Sequence, residues 1–130
     1  ASRKSHITVV EALGRLKADV NAVARDGTSP IHVASEHDHV GVVEALVLLK
    51  AEVNATIRSN NVTPLYIASH HGHVAVVEAL GRLKADVNAA ASNGTTPLYT
   101  ASRKSHITVV EALGRLKADV NAVARDGTSP

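Results

Sequence analysis

The 130-residue sequence contains no Cys, Met, Phe or Trp, and two tyrosines make up its whole aromatic content of 2%. Without Cys, neither a disulfide framework nor a thiolate zinc site can form. Without large aromatic side chains, the deep core of an ordinary single domain is hard to fill. The apolar side chains that remain are small, Ala (21) and Val (19) outnumbering Leu (11) and Ile (5). They suit a thin interior between closely stacked elements, and hence a layered or repetitive fold. No apolar run approaches the roughly 20 residues of a membrane span, and the first residues lack the pattern of a secretory leader. Charge of one sign is also missing, because 14 Lys and Arg are interspersed with 12 Asp and Glu for a net +2. That balance calls for neither a nucleic acid nor an anionic membrane as partner.

What the sequence does have is a period. Prolines fall at 30, 64, 97 and 130, and the segments between them share a hydroxyl residue before Pro, then Ala-Ser, a His, Val-Val-Glu-Ala-Leu, and Ala-Asp/Glu-Val-Asn-Ala. The period is 33, with Ile57 as a one-residue insertion. Whole units run 24–56, 58–90 and 91–123, flanked by partial units at 1–23 and 124–130, so residues 1–130 read as a single array. Residues 1–30 are identical to 101–130, although the whole units differ from one another at many positions. Such identity points to a recent or engineered duplication, or to a residue assignment made on a periodic object. Both ends fall inside a unit, as expected of a piece of a longer array.

Each unit reads as turn, helix, helix. Ser29-Pro30, Thr63-Pro64, Thr96-Pro97 and Ser129-Pro130 put a hydroxyl at a helix N-cap and Pro at the first helical position, where no N–H is needed. The first helix is expected to run to about Asp38 in one unit and to Gly72 in the next; Val42-Val43-x-x-Leu46 and Val76-Val77-x-x-Leu80 then have the spacing of a second, antiparallel helix. Glu11/Arg15, Glu78/Arg82 and Glu111/Arg115 are spaced as i,i+4 ion pairs on a solvated outer face. Gly27, Asn61, Gly94 and Gly127 sit where the connecting turn should need a positive φ.

The run Thr63-Pro64-Leu65-Tyr66-x-Ala68-Ser69-x-x-Gly72-His73-x-x-Val76-Val77-x-x-Leu80, closed by Ala85-Asp86-Val87-Asn88-Ala89, resembles the ankyrin repeat, and the resemblance extends over the whole chain. It implies an all-α repeat solenoid, in which helix pairs with a projecting β-hairpin finger stack into a curved superhelix. It also implies a protein-binding, non-catalytic scaffold in an intracellular setting. Counting 24, 58 and 91 as position 1, the pattern departs from the family at position 24, where Gly14, Gly81 and Gly114 stand in place of a packed Leu. An under-filled hole is expected there, with Leu16, Leu83 and Leu116 two residues on as partial compensation, and Gly81→Leu as a stabilising change. Lys17, Lys50, Lys84 and Lys117 replace a Gly at position 27, and Ser5, Asp38 and Ser105 replace another at position 15. Each should be strained if its φ stays positive.

Five of the eight histidines fall on scaffold positions of the pattern: His6, His39, His73 and His106 at position 16 and His32 at position 9, where Tyr66 and Tyr99 stand in the other units. His37, His70 and His71 remain, and equivalent positions in adjacent repeats, about 10 Å apart, are too distant to share a metal. No metal site, cofactor or catalytic constellation is expected. Ser5-His6 and Ser105-His106 have no carboxylate placed behind the His, and no phosphate-binding Gly loop is present. The sequons at Asn54, Asn61 and Asn93 read as coincidence. Asn21, Asn54, Asn88 and Asn121 resemble the sites of an asparaginyl hydroxylase that acts on ankyrin proteins, but are read first as amides bonding the turn backbone.

The resemblance places partner recognition in the concave groove. Its finger residues would be Arg25, Asp26, Thr28, Ser59, Asn60, Val62, Ser92, Asn93, Thr95, Arg125, Asp126 and Thr128, and its helix residues Arg3, Lys4, Glu36, His37, His70, His71, Arg103 and Lys104. These sum to +3 with His neutral, and the set offers no aromatic anchor. The expected partner is a polar, mildly acidic protein. The alternative is a structural array stacking head to tail into superhelical filaments, since uncapped repeats expose apolar faces.

Overall fold

The computed structural model describes residues 23–116, which form six helices: α1 (Pro30–Glu36), α2 (Val40–Leu48), α3 (Pro64–His71), α4 (Val74–Arg82), α5 (Pro97–Arg103) and α6 (Ile107–Arg115). Three antiparallel pairs result. First helices pack on first helices (α1 on α3, α3 on α5) and second on second (α2 on α4, α4 on α6), which is the stacking of an all-helical repeat solenoid. Each first helix starts at its proline, with Thr63 and Thr96 hydroxyls accepting from the N–H of Tyr66 and Tyr99. At Ser29 the start is instead a reciprocal capping box with His32, whose Nδ1 accepts the Ser29 N–H at 3.1 Å and lies 2.8 Å from the Ser29 hydroxyl. Asp38, Gly72 and Ser105 turn the chain with positive φ, and the next N–H closes back on the first helix, as His73 does on the Ala68 carbonyl at 2.9 Å.

The interior is the expected thin aliphatic layer. Ile31, Leu65 and Leu98 from the first helices meet Leu46, Leu80 and Leu113 from the second, with Ala34, Ala68 and Ala101 letting the helices approach closely. Polar rows fasten one repeat to the next behind this layer. His73 Nε2 lies 2.8 Å from the Glu36 carbonyl and His106 Nε2 lies 3.0 Å from that of His70, one repeat back in each case. Asp86 N–H donates to Asn54 Oδ1 at 2.8 Å, so this Asn spans a repeat boundary. The Ser35 and Ser69 hydroxyls are buried without a partner, a cost of about 1–3 kcal/mol each.

Three expectations need correction. The expected hairpin finger is not seen, since no strand occurs among the described residues. Each finger is instead a turn closed by Ala24 N–H to Thr28 O or Ala91 N–H to Thr95 O. The Ile57 insertion lengthens the middle turn, closed by Ile57 N–H to Val62 O. The outer-face arginines do not pair within their own helices at i,i+4. Arg82 reaches Glu44 at 3.5 Å and Arg115 reaches Glu78 at 3.2 Å, both across a repeat boundary. The proposed pair Glu11/Arg15 lies outside the described residues. Gly81 is not an unfilled hole, because a Cβ there would stand 2.6 Å from both Leu116 methyl carbons. The leucine that fills the space comes from the following repeat. Gly114 has open space around it.

Backbone strain is present where Gly was expected to be missed. Asp38 (φ 61°), Lys50 (77°), Lys84 (72°) and Ser105 (59°) are left-handed, as are Gly27, Asn61, Gly72 and Gly94. Lys50 and Lys84 end their helices in a closing turn, with Ala51 N–H on the Leu46 carbonyl and Ala85 N–H on that of Leu80. Gly14, Gly127, Lys17, Lys117 and Ser5 lie outside the described residues. A left-handed side chain costs roughly 1–2 kcal/mol, and the extra chain entropy of Gly offsets roughly 0.5–1 kcal/mol of its removal. Lys84→Gly should therefore raise the unfolding free energy by about 1 kcal/mol, whereas Gly81→Leu should lower it by overpacking Leu116. Urea denaturation of both variants beside the parent checks this; a gain for Gly81→Leu would mean that Leu116 moves aside at no cost.

Candidate functional site

The face carrying the finger turns and first helices is built from the backbone outward. Asp26, Asn60 and Asn93 stand at the third position of their turns, and each side-chain oxygen accepts an N–H two residues on: Thr28 at 2.9 Å, Val62 at 3.2 Å and Thr95 at 3.0 Å. The Thr28 hydroxyl and N–H hold the Asp26 carboxyl below its ordinary pKa. Successive turns are joined by Arg58 N–H to the Asp26 carbonyl and Ser92 N–H to that of Asn60. The stacking is tight enough that a Cβ on Gly27 would lie 2.8 Å from Arg58 N, so Gly27 is required by space as well as by φ.

Of the groove residues read from sequence, Arg25, Asp26, Ser59, Asn60, Asn93, Glu36, His37, His71, Arg103 and Lys104 are exposed, and Thr28, Ser92 and His70 are half-buried. Val62 and Thr95 are buried, which corrects their reading as groove surface, although both reach the edges of hollows between repeats. Arg3, Lys4, Arg125, Asp126 and Thr128 lie outside the described residues. Glu36 is spoken for: His37 Nε2 stands 3.3 Å from one of its oxygens and His71 Nε2 4.0 Å from the other. His70 and His71 meet edge to face, and His71 stacks on His73. Among the described residues no group of three His, Asp or Glu could hold a metal ion.

Two hollows open between repeats. One, of about 360 Å³, is lined by Tyr66, His70, Asn93, Thr95, Tyr99, Thr100, Arg103 and Lys104. The other, of about 160 Å³, is lined by Glu36, Val62, Tyr66, Ile67, His70 and His71. The absence of an aromatic anchor thus needs correcting, since Tyr66 and Tyr99 line the larger hollow. Their place at position 9 marked them as scaffold, and the scaffold role holds too: Tyr66 Oη lies 2.9 Å from Thr95 Oγ1 of the next repeat. His70 Nδ1 lies 2.8 Å from Thr100 Oγ1, again across the boundary. Burial pushes the His70 imidazole below its ordinary pKa, and the charges of His71, Lys104 and His106 add to this.

His32 occupies position 9 one repeat earlier. Its Nδ1 accepts the Ser29 N–H at 3.1 Å, which leaves Nε2 to donate to the carbonyls of Ala55 (2.9 Å) and Val62 (3.1 Å). These bonds require a neutral ring with its proton on Nε2. Burial holds its pKa down, against the raising effect of the two carbonyls.

No helix among the described residues is long and apolar enough to cross a membrane. Comparison with known families finds a match to ankyrin repeats, in three copies, over residues 47–124 and to a single ankyrin repeat over residues 26–58. No curated protein matches the chain.

The depressed histidines set a sign for acid stability. An unfolded imidazole takes up its proton near pH 6.5, whereas His32 and His70 in the fold do so only at lower pH. Below about pH 6.5 the unfolded state binds more protons, so stability should fall as pH is lowered through that value and be fully present above it. Thermal unfolding followed from pH 7.5 to 5.5 should show the decline, and His32→Gln should make it shallower. An unchanged slope in that variant would remove His32 from the explanation.

Proposed function

The chain belongs to the ankyrin repeat family, and we propose that it recognises a protein partner through the groove lined by its finger turns and first helices. Proteins of this family are generally protein–protein interaction modules and non-catalytic scaffolds. The reading is carried by one observation: the exposed side chains Arg25, Ser59, His37, His71, Arg103 and Lys104 stand on a backbone already fastened from repeat to repeat by hydrogen bonds. A surface ordered in advance loses little entropy when a partner docks. Its cationic residues favour a mildly acidic partner, steered by charge rather than gripped by an apolar patch. A photoreactive side chain at Ser59 should cross-link that partner, and the yield should drop when Arg103 and Lys104 are both reversed to Glu. The same group at Glu78, on the outer face, should cross-link little; equal yields from both faces would defeat the groove assignment.

A second reading, head-to-tail self-association, is supported by an apolar hollow lined by Ser102, Ser105, Ile107, Val110 and Glu111, where Ile107 is 70% exposed. An apolar side chain that open is a natural contact for another copy of the chain. On this reading light scattering should report elongated oligomers that grow with concentration and vanish in Ile107→Glu. A compact monomer at high concentration would eliminate it.

A further inference from the structure

The larger hollow differs from its neighbour in charge. Among the described residues its ionisable lining consists of His70, Arg103 and Lys104 with the two tyrosines and includes no carboxylate, whereas the smaller hollow holds Glu36 beside His70 and His71. The hydrogen bonds around it decide which groups have protons left to give. Thr95 Oγ1 donates to Asn93 Oδ1 at 2.6 Å, so its only proton is used there. At the 2.9 Å contact with Tyr66 the threonine oxygen must then accept, and the phenol donates. Asn93 Oδ1 receives both the Thr95 hydroxyl and the Thr95 N–H, which turns the amide nitrogen of Asn93, with two donors, away from the turn. Arg103 Nη1 stands 3.5 Å from Tyr99 Oη, which places the guanidinium at the rim of the hollow.

A concavity lined by two cations, a neutral amide donor and two phenols, with no carboxylate among the described residues, is complementary to a single anionic group. Its volume of about 360 Å³ accommodates one side chain with a few waters. We propose that this hollow is the anchoring subsite of the groove and takes one anionic side chain, a carboxylate or a phosphoryl ester, from an extended segment of the partner protein. Arg103 and Lys104 supply the charge, Asn93 the neutral donor, and Tyr66 and Tyr99 the aromatic walls. The proposal rests on the groove reading and makes it specific: affinity concentrates between the repeats that begin at 58 and 91, and it depends on one charged group of the partner rather than on its overall acidity.

The test uses three Gly/Ser decapeptides that differ only at the central residue, which is Glu, phosphoserine or Gln, titrated into the isotope-labelled full chain and followed by amide chemical shifts. The Glu or the phosphoserine peptide should shift Asn93, Thr100 and Lys104 saturably, the Gln peptide should not, and the tighter of the two anionic peptides identifies the group. Arg103→Gln combined with Lys104→Gln should weaken that binding by about fivefold or more, while Glu78→Gln, on the outer face, should leave it unchanged. Anionic peptides that act no more strongly than the Gln peptide, or that bind the double variant as well as the parent, overturn the proposal. If all three peptides shift Ser59, Asn60 and His37 but leave the hollow silent, the subsite fails and the groove reading stands. Silence across the whole face tells against both.

Discussion

Stacking of one repeat on the next is the contact on which this molecule depends, because no single repeat has enough apolar surface to fold around. Ile31, Leu65 and Leu98 are buried in one continuous core that runs through all three helix pairs, and the small residues between them set how closely the helices approach. Close approach leaves polar groups with nowhere to find water, so they must be satisfied across the same boundary. His73 and His106 on backbone carbonyls, Asn54 on the Asp86 N–H, and His32 and Tyr66 at the base of the fingers answer that need. The apolar layer drives the stacking, and the polar rows fix its register.

Stability is then given away locally. Two lysines, a serine and an aspartate are held in the left-handed backbone region that Gly would occupy without strain, and two serine hydroxyls are buried unpaired. Each defect costs on the order of 1 kcal/mol, against the few kcal/mol by which a domain of this size is normally stable. They are tolerated because the helix-closing hydrogen bonds at Ala51 and Ala85 form whichever side chain occupies the left-handed position before them. On the finger turns the one non-glycine left-handed position among the described residues is Asn61, a residue type that tolerates that region.

That face inherits its order from the core. The Asx-type bonds of Asp26, Asn60 and Asn93 shape each finger, and the bonds between fingers carry the shape along the array. Side chains used in this way are less available to a partner than their exposure suggests. The accessible chemistry therefore shifts to the ends of the first helices, where His37, His71, Arg103 and Lys104 project, and to the hollows between them. Protons are equally constrained: a ring such as His32, held neutral by what surrounds it, couples the fold to pH without taking part in binding.

Local chemistry was enough to establish the period, the helix starts at Pro30, Pro64 and Pro97, the left-handed turns at Gly27, Asn61 and Gly94, and the strained lysines, because capping and φ preference act within a few residues. By the same reasoning the groove side chains are assigned to one face, since each recurs at a fixed repeat position. What it could not supply were the contacts between residues about one period apart. Leu116 filling the space over Gly81, Arg82 turning to Glu44 rather than Glu78, and Tyr66 and Tyr99 closing a basic hollow with Arg103 and Lys104 all depend on the rotation and rise from one repeat to the next. That geometry is a property of the packed stack, set by how Ala, Val and Leu interlock over the whole interface, and no single repeat encodes it.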